Sequence, residues 1–572
     1  MKTIILIDQV NNKKKLLYYL NNNNTYVLPL NIKTKLFCEK NKLPRILSTN
    51  KYFQNLDHKL ALKLSHDIKK LIRLNIKKSS LKLNKYNSFI IWLSNLITFK
   101  YFNKNIFKIL IIRNVVKSKE FQKIIFISQS KYILFENGLI KNLDNFTFEH
   151  YSEKKSVNFL KILYTKINNL LIYLYCFTSQ NNFSNKVLLS SINYNLTKII
   201  SNKKKIFLAD QQISFWTIIK LYFKKNIITK IIHTNKNFYI DEKFYETVIQ
   251  LFTTKSNLLK KIIDPSINYQ VEEISKEILN IEYLFDNFIK KIKNSSNYYY
   301  VSPFSFGLSG LIGEYLSNIN FKSLCIPHGT VKSDCTNIYE KIYNSEIAES
   351  IIDNNFSHIA IQSKLSLYAF NSYNNFSKKV LTQPICFSSV NSYSNNINVL
   401  LASTFKNESN MKFFGVETFD EYFESVKDLI ETFKDKKINL IFQPHPTLKE
   451  NLSNDDLLKL FQISSNNIKI SNQTFIENLK KTSILISFSS TVIEEALLSN
   501  IPVIIYDKWN RYNHLDKFKD INDKFINYFN SAKMIESYLD NYKFDNIKYL
   551  KSFNKFNLKF NKSNIEDLLQ EN

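Results

Sequence analysis

The feature that most constrains this chain is a change of rhythm near residue 297. From there on, short apolar runs alternate with longer helical stretches. "YYYVS" (298–302), "KSLCIP" (322–327), "HIAIQS" (358–363) and "KKVLTQP" (378–384) read as strands, with helices over 309–318 and 364–373 between them. A polar, breaker-rich segment, "SSVNSYSNN" (388–396), reads as a linker. A second block then repeats the pattern. Strands are predicted over 397–403, 438–444, 483–490 and 502–507, and helices over 419–435, 475–482 and 491–500. Strands that alternate with helices pair in parallel through crossovers, which makes the chain α/β. Ligands of such sheets bind beyond the carboxyl ends of the strands. The residues that follow each strand are therefore the ones to search.

The part before this rhythm is less regular. "TIILID", "KIIFIS", "KYILFE" and "KIFLAD" are strand-like runs set among Lys-rich helical segments. The expected organisation is an irregular α/β region over 1–290, forming part of an acceptor domain with insertions, and a Rossmann-like remainder of that domain over 291–390. A Rossmann-like nucleotide-donor domain over 397–520 and a helical segment over 521–572 complete it. "MKTIILIDQV" reads as a first strand rather than a signal peptide. The apolar runs 89–99 and 169–177 fall short of the roughly 20 residues a bilayer span needs. Five cysteines, an odd number without a CxxC pair, fit a reducing cytoplasm better than a disulfide framework or a structural zinc site.

Glycine and proline are scarce: six and nine in 572 residues, against about 40 and about 29 at ordinary usage. Lys, Asn, Ile, Phe and Tyr abound instead, the mark of an AT-biased genome. Those glycines and prolines that remain are expected to be mechanically needed. Two of the prolines flank one histidine in "FQPHP", directly after an apolar run. Pro444 and Pro446 fix φ on both sides of His445 and remove two backbone donors. This reads either as a histidine held to meet a phosphate or a leaving group, or as a turn histidine satisfied by nearby backbone.

"SFSSTVIEEALLSNIPVIIYD" (487–507) carries more. Ser489, Ser490 and Thr491 lie between a strand and a helix, where hydroxyls and free N–H groups can hold an anion. Glu495 lies one turn on, within reach of ribose hydroxyls. Asn500 can take the left-handed conformation at the helix end, and Pro502 opens the next strand. Against this, Thr491 and Glu494 have the spacing of a capping box, which needs no ligand. "CIPHGTVKSD" (325–334) repeats the device, with Pro327 and Gly329 around His328. His328 is a candidate general base, or else the histidine of a tight turn. Gly307, Gly310, Gly313 and Gly329 are four of the six glycines, so that stretch is expected to let backbone approach a ligand closely or to take φ > 0. Glu136 in "ENG" could be a carboxylate base, or Asn137–Gly138 a plain hairpin turn.

There is no GxxxxGK[ST] or GxGxxG phosphate loop, no HExxH, no GxSxG and no DxD pair on a clear strand end, so no metal site is indicated. The net charge of +30 admits an anionic partner such as nucleic acid or an acidic membrane surface. The lysines are spread along the whole chain, which fits codon drift as well, and no nucleic-acid module pattern is present.

"FQPHP", the "SFSSTVIEEALLSNIPVIIYD" stretch and the upstream "PHGT" together resemble GT-B-type transferases of bacterial surface polysaccharides. The similarity is to capsule and lipopolysaccharide glycosyltransferases, including polysialyltransferase-like enzymes, and to CDP-glycerol glycerophosphotransferases. It spans about residues 297–510. The resemblance implies a GT-B-like fold, two Rossmann-like domains facing across a cleft, with an enlarged N-terminal part. It implies that His445 meets the donor phosphate, Ser489 and Ser490 bind phosphate, Glu495 holds the ribose, and His328 lies on the acceptor side; Thr491 and Gly329 are counted with the donor-binding residues. Glu136 would match an acidic motif whose second position is Asn137 here. The implied activity is inverting, metal-independent transfer of a sugar, with a CMP-sugar among the donors considered, from a nucleotide-sugar substrate to a growing surface glycan or glycolipid. No further cofactor and no nucleic acid are implied. The expected location is cytoplasmic, with peripheral attachment to the inner membrane face as an option. A CDP-glycerol-type polyol-phosphate transferase, a sugar-nucleotide 2-epimerase and a basic nucleic-acid-binding protein are the alternatives.

Overall fold

The computed structural model describes residues 2–8, 13–20, 23–128, 146–150, 186–189, 205–209, 227–230, 238–292, 298–329, 338–374, 376–387, 390, 398–405, 417–434, 436, 438–449, 452–511 and 525–541. Their strands form three parallel sheets. The first has β1 (Thr3–Ile7), β2 (Thr25–Pro29), β3 (Lys123–Ser128) and β4 (Phe146–His150) in the order β2-β1-β3-β4.

The second sheet draws on both sides of residue 290. It comprises β5 (Lys186–Leu189), β6 (Lys205–Ala209), β7 (Ile227–Lys230), β8 (Tyr298–Ser302), β9 (Ser323–Cys325), β10 (His358–Ile361) and β11 (Lys378–Leu381). Its order is β11-β10-β9-β8-β5-β6-β7. The third contains β12 (Asn398–Ala402), β13 (Asn439–Gln443), β14 (Ile468–Ile470), β15 (Ile484–Ser487), β16 (Val503–Tyr506) and β17 (Ile526–Phe529), in the order β14-β13-β12-β15-β16-β17. Counted from its own first strand, each of these two sheets runs 3-2-1-4-5-6, with a seventh strand added at the edge of the second. That is the doubly wound Rossmann order, and the chain reverses direction between β12 and β15 and between β5 and β8. The expected α/β, GT-B-like architecture is therefore present, with the first sheet as the enlargement at the N-terminus.

From residue 298 to 506 the expected strands and helices fall where periodicity put them, within a few residues, and the strand-like run 131–136 lies outside the described residues. The amphipathic helix Phe419–Phe433 buries Phe419, Tyr422, Phe423, Val426, Leu429, Ile430 and Phe433, one stripe at helical spacing. Thr418 caps it through a reciprocal capping box with Glu421. Its first turn also joins the third sheet to the N-terminal region. Asp420 accepts from the Thr49 N–H and hydroxyl, both at 2.7 Å, and pairs with Lys35. Glu421 takes Arg511 in a two-pronged pair at 2.8 and 2.8 Å, with the His58 Nε2 3.3 Å from its Oε1.

Two expectations need correction. The segment 521–572 is not helical throughout, because Ile526–Phe529 pairs in parallel with Val503–Tyr506 as the sixth strand of the third sheet. Only Ala532–Asp540 within its described part is helical. The aromatic and β-branched "INYF" is strand-forming, and the edge of β16 offers it partners. Thr491 makes no capping hydrogen bond, so the Thr491–Glu494 box does not form. Glu494 is buried and accepts instead from the hydroxyl of Ser363, across the two blocks. A tertiary partner has displaced a local one.

Candidate functional site

Register fixes the height of the candidate residues above the third sheet. Leu401 pairs with Phe442 on one side and Ile486 on the other, and Ala402 with Gln443. Continued by one residue, Gln443, Ala402 and Ser487 lie in line. His445, Thr404 and Ser489 each stand two residues beyond that line, at the carboxyl edge. His445 and Ser489 follow strands separated only by β12, about 10 Å apart at the usual strand spacing. Ser489, Ser490 and Thr404 straddle the point where strand order reverses, the place where parallel sheets bind ligands.

The two prolines around His445 have distinct jobs. Pro444 is buried and keeps Gln443 extended, which prolongs β13. Pro446 holds His445 extended and opens the short helix Pro446–Lys449 as its first residue. The His445 carbonyl accepts the N–H groups of Leu448 and Lys449 at 2.9 and 3.2 Å. The ring is set as well. Its Nδ1 accepts from the Thr447 N–H at 3.3 Å and lies 2.7 Å from the Thr447 hydroxyl. A backbone N–H can only donate, so Nδ1 is the acceptor and the proton of the neutral ring sits on Nε2. The Nδ1 of His445 is thus satisfied by nearby backbone, as the plain turn reading expects, and its Nε2 carries the ring proton.

The hydroxyls after β15 are tied to those after β12. Ser403 Oγ accepts from the N–H groups of Phe488 and Ser489 at 3.2 and 3.5 Å, and the Thr404 hydroxyl donates to Ser490 Oγ at 3.0 Å. Ser490 is buried, Ser489 half-buried and Thr491 exposed. Asn500 takes the expected left-handed conformation at φ 62°, where the helix Val492–Leu498 ends. Glu495 is half-buried. With burial as the larger cause, its carboxylate pushes the Cys386 thiol up to about 12.

His328 leaves the carboxyl edge of the second sheet after β9, and it is exposed. Its Nδ1 lies 3.0 Å from the Pro303 carbonyl, which can only accept. Nδ1 therefore carries the proton, and Nε2 is the basic nitrogen of the neutral ring, opposite to His445. The turn is held from below by the buried Gln362. Its amide donates to the Pro327 carbonyl at 2.6 Å, and its Oε1 accepts the N–H groups of Ile385 and Cys386 at 2.8 and 2.7 Å.

The two edges meet. A Cβ on Gly329 would lie 3.0 Å from Thr491 Cγ2, so the His-Gly turn of one sheet abuts the Ser-Ser-Thr turn of the other. The Ser363–Glu494 hydrogen bond is a second tie between them. The structure thus brings His328, Gly329, Ser489, Ser490, Thr491 and Glu495 to one junction, with His445 on the same edge of the third sheet. Gly310 and Gly313 of the cluster serve packing. Gly310 would clash with the Ser305 carbonyl and Gly313 with the Phe356 ring, at 2.2 and 2.4 Å from an added Cβ. Glu136 and the Asn137–Gly138 turn lie outside the described residues. Sequence reading missed Ser403, Thr404, Gln362 and Thr447. The first two carried a signal, hydroxyls directly after an apolar run, of the same kind as Ser489 and Ser490.

Among the described residues no group of three or more His, Cys, Asp or Glu could hold a metal ion, and no helix is long and apolar enough to cross a membrane.

No protein-family model matches the sequence, and no curated protein matches it. Solved structures do resemble it in fold. S. aureus MnaA, seen with UDP, superposes with a TM-score of 0.39 at 11% identity, covering 67% of this chain and 95% of that one. The wall teichoic acid polymerase TagF gives 0.35 at 12%, covering 72% and 96%. Acinetobacter baumannii MurG gives 0.36 at 10%, covering 67% and 98%. At TM-scores below 0.5 these likenesses assign no role to any residue here.

Proposed function

We propose that this chain is a GT-B-type glycosyltransferase that moves a sugar from a nucleotide-activated donor to a growing surface polysaccharide. The observation that carries the reading is the junction itself. A histidine basic at Nε2 stands on one carboxyl edge, a histidine protonated at Nε2 stands on the other, and Gly329 and Thr491 join the two edges. In the proposed reaction His328 Nε2 takes the proton of an acceptor hydroxyl. The freed oxygen attacks the anomeric carbon, and the bond from that carbon to the donor's phosphate oxygen breaks. The electron pair goes to the phosphate, whose new charge is met by His445 Nε2–H and the hydroxyls of Ser489, Ser490 and Thr491. Glu495 takes the ribose hydroxyls. One displacement inverts the anomeric centre.

A polyol-phosphate transferase would use the same donor side with CDP-glycerol. The test is release of free nucleotide from CMP-, UDP- and GDP-sugars and from CDP-glycerol by the purified chain. Turnover of one sugar donor that falls with His328→Ala supports the proposal. Turnover of CDP-glycerol alone replaces it with the polyol-phosphate reading, and turnover of none overturns both.

A further inference from the structure

The His328 side of the junction carries a feature the transfer chemistry does not use. Phe306 occupies the cap position before the helix Gly307–Asn318, with no side-chain capping bond. Caps favour Ser, Thr, Asp or Asn, whose oxygens satisfy the first free N–H groups, and an apolar ring satisfies none. The ring is also 42% exposed, among the large apolar side chains left outside. Its placement is not slack. Ser302 Oγ donates to the Phe304 carbonyl at 2.7 Å and accepts the Phe304 N–H at 3.0 Å, which fixes the strand exit. Gly307 follows at φ +64°, a conformation that suits glycine, and a Cβ added there would lie 3.5 Å from Trp92 Cδ1. Trp92 belongs to the helix Asn87–Ile97, whose first N–H groups are held by the buried Glu314 at 2.9 and 2.6 Å.

From Phe306 an aromatic path runs straight to the candidate base. Phe304 lies 5.6 Å from Phe306 and 5.3 Å from the His328 ring, both edge-on. Flat rings bind through their faces, and the face of a pyranose that carries its axial C–H bonds is their natural complement. A polyol-phosphate chain offers no such face and would call for cations, which phenyl rings do not supply. We propose that Phe306, supported by Phe304, is the acceptor subsite, and that it stacks one pyranose unit of a saccharide acceptor so that a hydroxyl of that unit or its neighbour reaches His328. The inference rests on the transferase reading above and names its acceptor class.

Saturation-transfer NMR on the full chain tests it, with lactose, N,N′-diacetylchitobiose, 3′-sialyllactose and glycerol 1-phosphate as probes. The expected result is saturation of ring C–H protons on at least one saccharide and none on glycerol 1-phosphate. The signal is lost in Phe306→Ala, retained in Phe306→Trp, and unchanged in Tyr239→Ala, a control at a side chain 90% exposed elsewhere. Circular dichroism checks the fold of each variant, and Phe306→Trp keeps the test valid if Phe306→Ala unfolds. Saturation of no saccharide, saturation indifferent to Phe306, or Phe306-dependent binding of glycerol 1-phosphate overturns the proposal. A thermal shift with nucleotides, run in parallel, separates the two readings. Nucleotide binding without saccharide saturation removes the subsite alone. Saccharide saturation that depends on Phe306 without nucleotide binding keeps the subsite and removes the donor reading.

Discussion

Replacing Glu421 by Gln tests whether the first turn of the helix Phe419–Phe433 fastens the N-terminal region to the third sheet. Glu421 is buried and meets both prongs of Arg511 at 2.8 and 2.8 Å, with His58 alongside. Its Oε2 also accepts the Thr418 N–H at 2.8 Å, as half of the capping box. Burial alone would raise its pKa, but His58 and Arg511 outweigh burial and hold the carboxyl at about 2. The unfolded value is about 4.3. A carboxylate depressed on folding stabilises the folded state fully above its unfolded pKa, and that contribution fades as pH falls toward the folded one. At 1.36 kcal/mol per unit, the linkage is worth about 3 kcal/mol at pH 7. Losing one member of a buried pair costs about 3–5 kcal/mol, since Arg511 is then left uncompensated. Urea titrations of wild type and Glu421→Gln from pH 7 down to pH 3 are the assay. The gap between them is expected to be about 3 kcal/mol at pH 7 and to shrink steadily below about pH 4.5. A gap under about 0.5 kcal/mol at pH 7, the scale of an exposed pair, or a gap that does not change with pH, refutes the reasoning.

Other perturbations have equally definite expectations. His445→Ala should lower donor turnover about 10²–10³-fold, whereas Thr447→Val should cost less, because the Thr447 N–H still holds Nδ1; initial rates of nucleotide release would compare them. Gly313→Ala drives a methyl into the Phe356 ring and should destabilise the fold by about 1–3 kcal/mol, read by urea unfolding. Cys386, its thiol held up at about 12 by burial and by Glu495, should resist iodoacetamide at pH 8 in the folded protein; peptide mass spectrometry showing alkylation at the rate of the unfolded chain would contradict this.

Much of the third sheet was legible because each strand is a short apolar run closed by polar residues, and its long helix keeps a clean stripe. The prolines about His445 and the left-handed Asn500 were equally readable, since both act on their own backbone. What sequence could not convey is contact at a distance. Glu494 has the spacing of a capping box, yet its partner Ser363 lies 131 residues away in the other block. Arg511 and His58, which share Glu421, are separated by 453 residues, and no local pattern links them. The strand Ile526–Phe529 was hidden because β16, the edge that makes it a strand, lies about twenty residues upstream. Of the glycines expected to meet a ligand or to take φ > 0, Gly307 takes φ +64° and Gly329 lies at the junction, while Gly310 and Gly313 make room for a carbonyl and a ring. The tautomer of His328 depends on the Pro303 carbonyl, 25 residues upstream, which only folding brings near.

His445 and the Ser489–Ser490 turn are proposed to serve one nucleotide. Thermal shift with CMP, CDP, UDP and GDP, repeated on His445→Ala and on the Ser489→Ala/Ser490→Ala double variant, measures that directly. One nucleotide is expected to raise the melting temperature of the wild type, and both variants to lose the rise while keeping the unliganded melting point. No rise with any nucleotide, or a rise that both variants retain in full, would contradict that proposal.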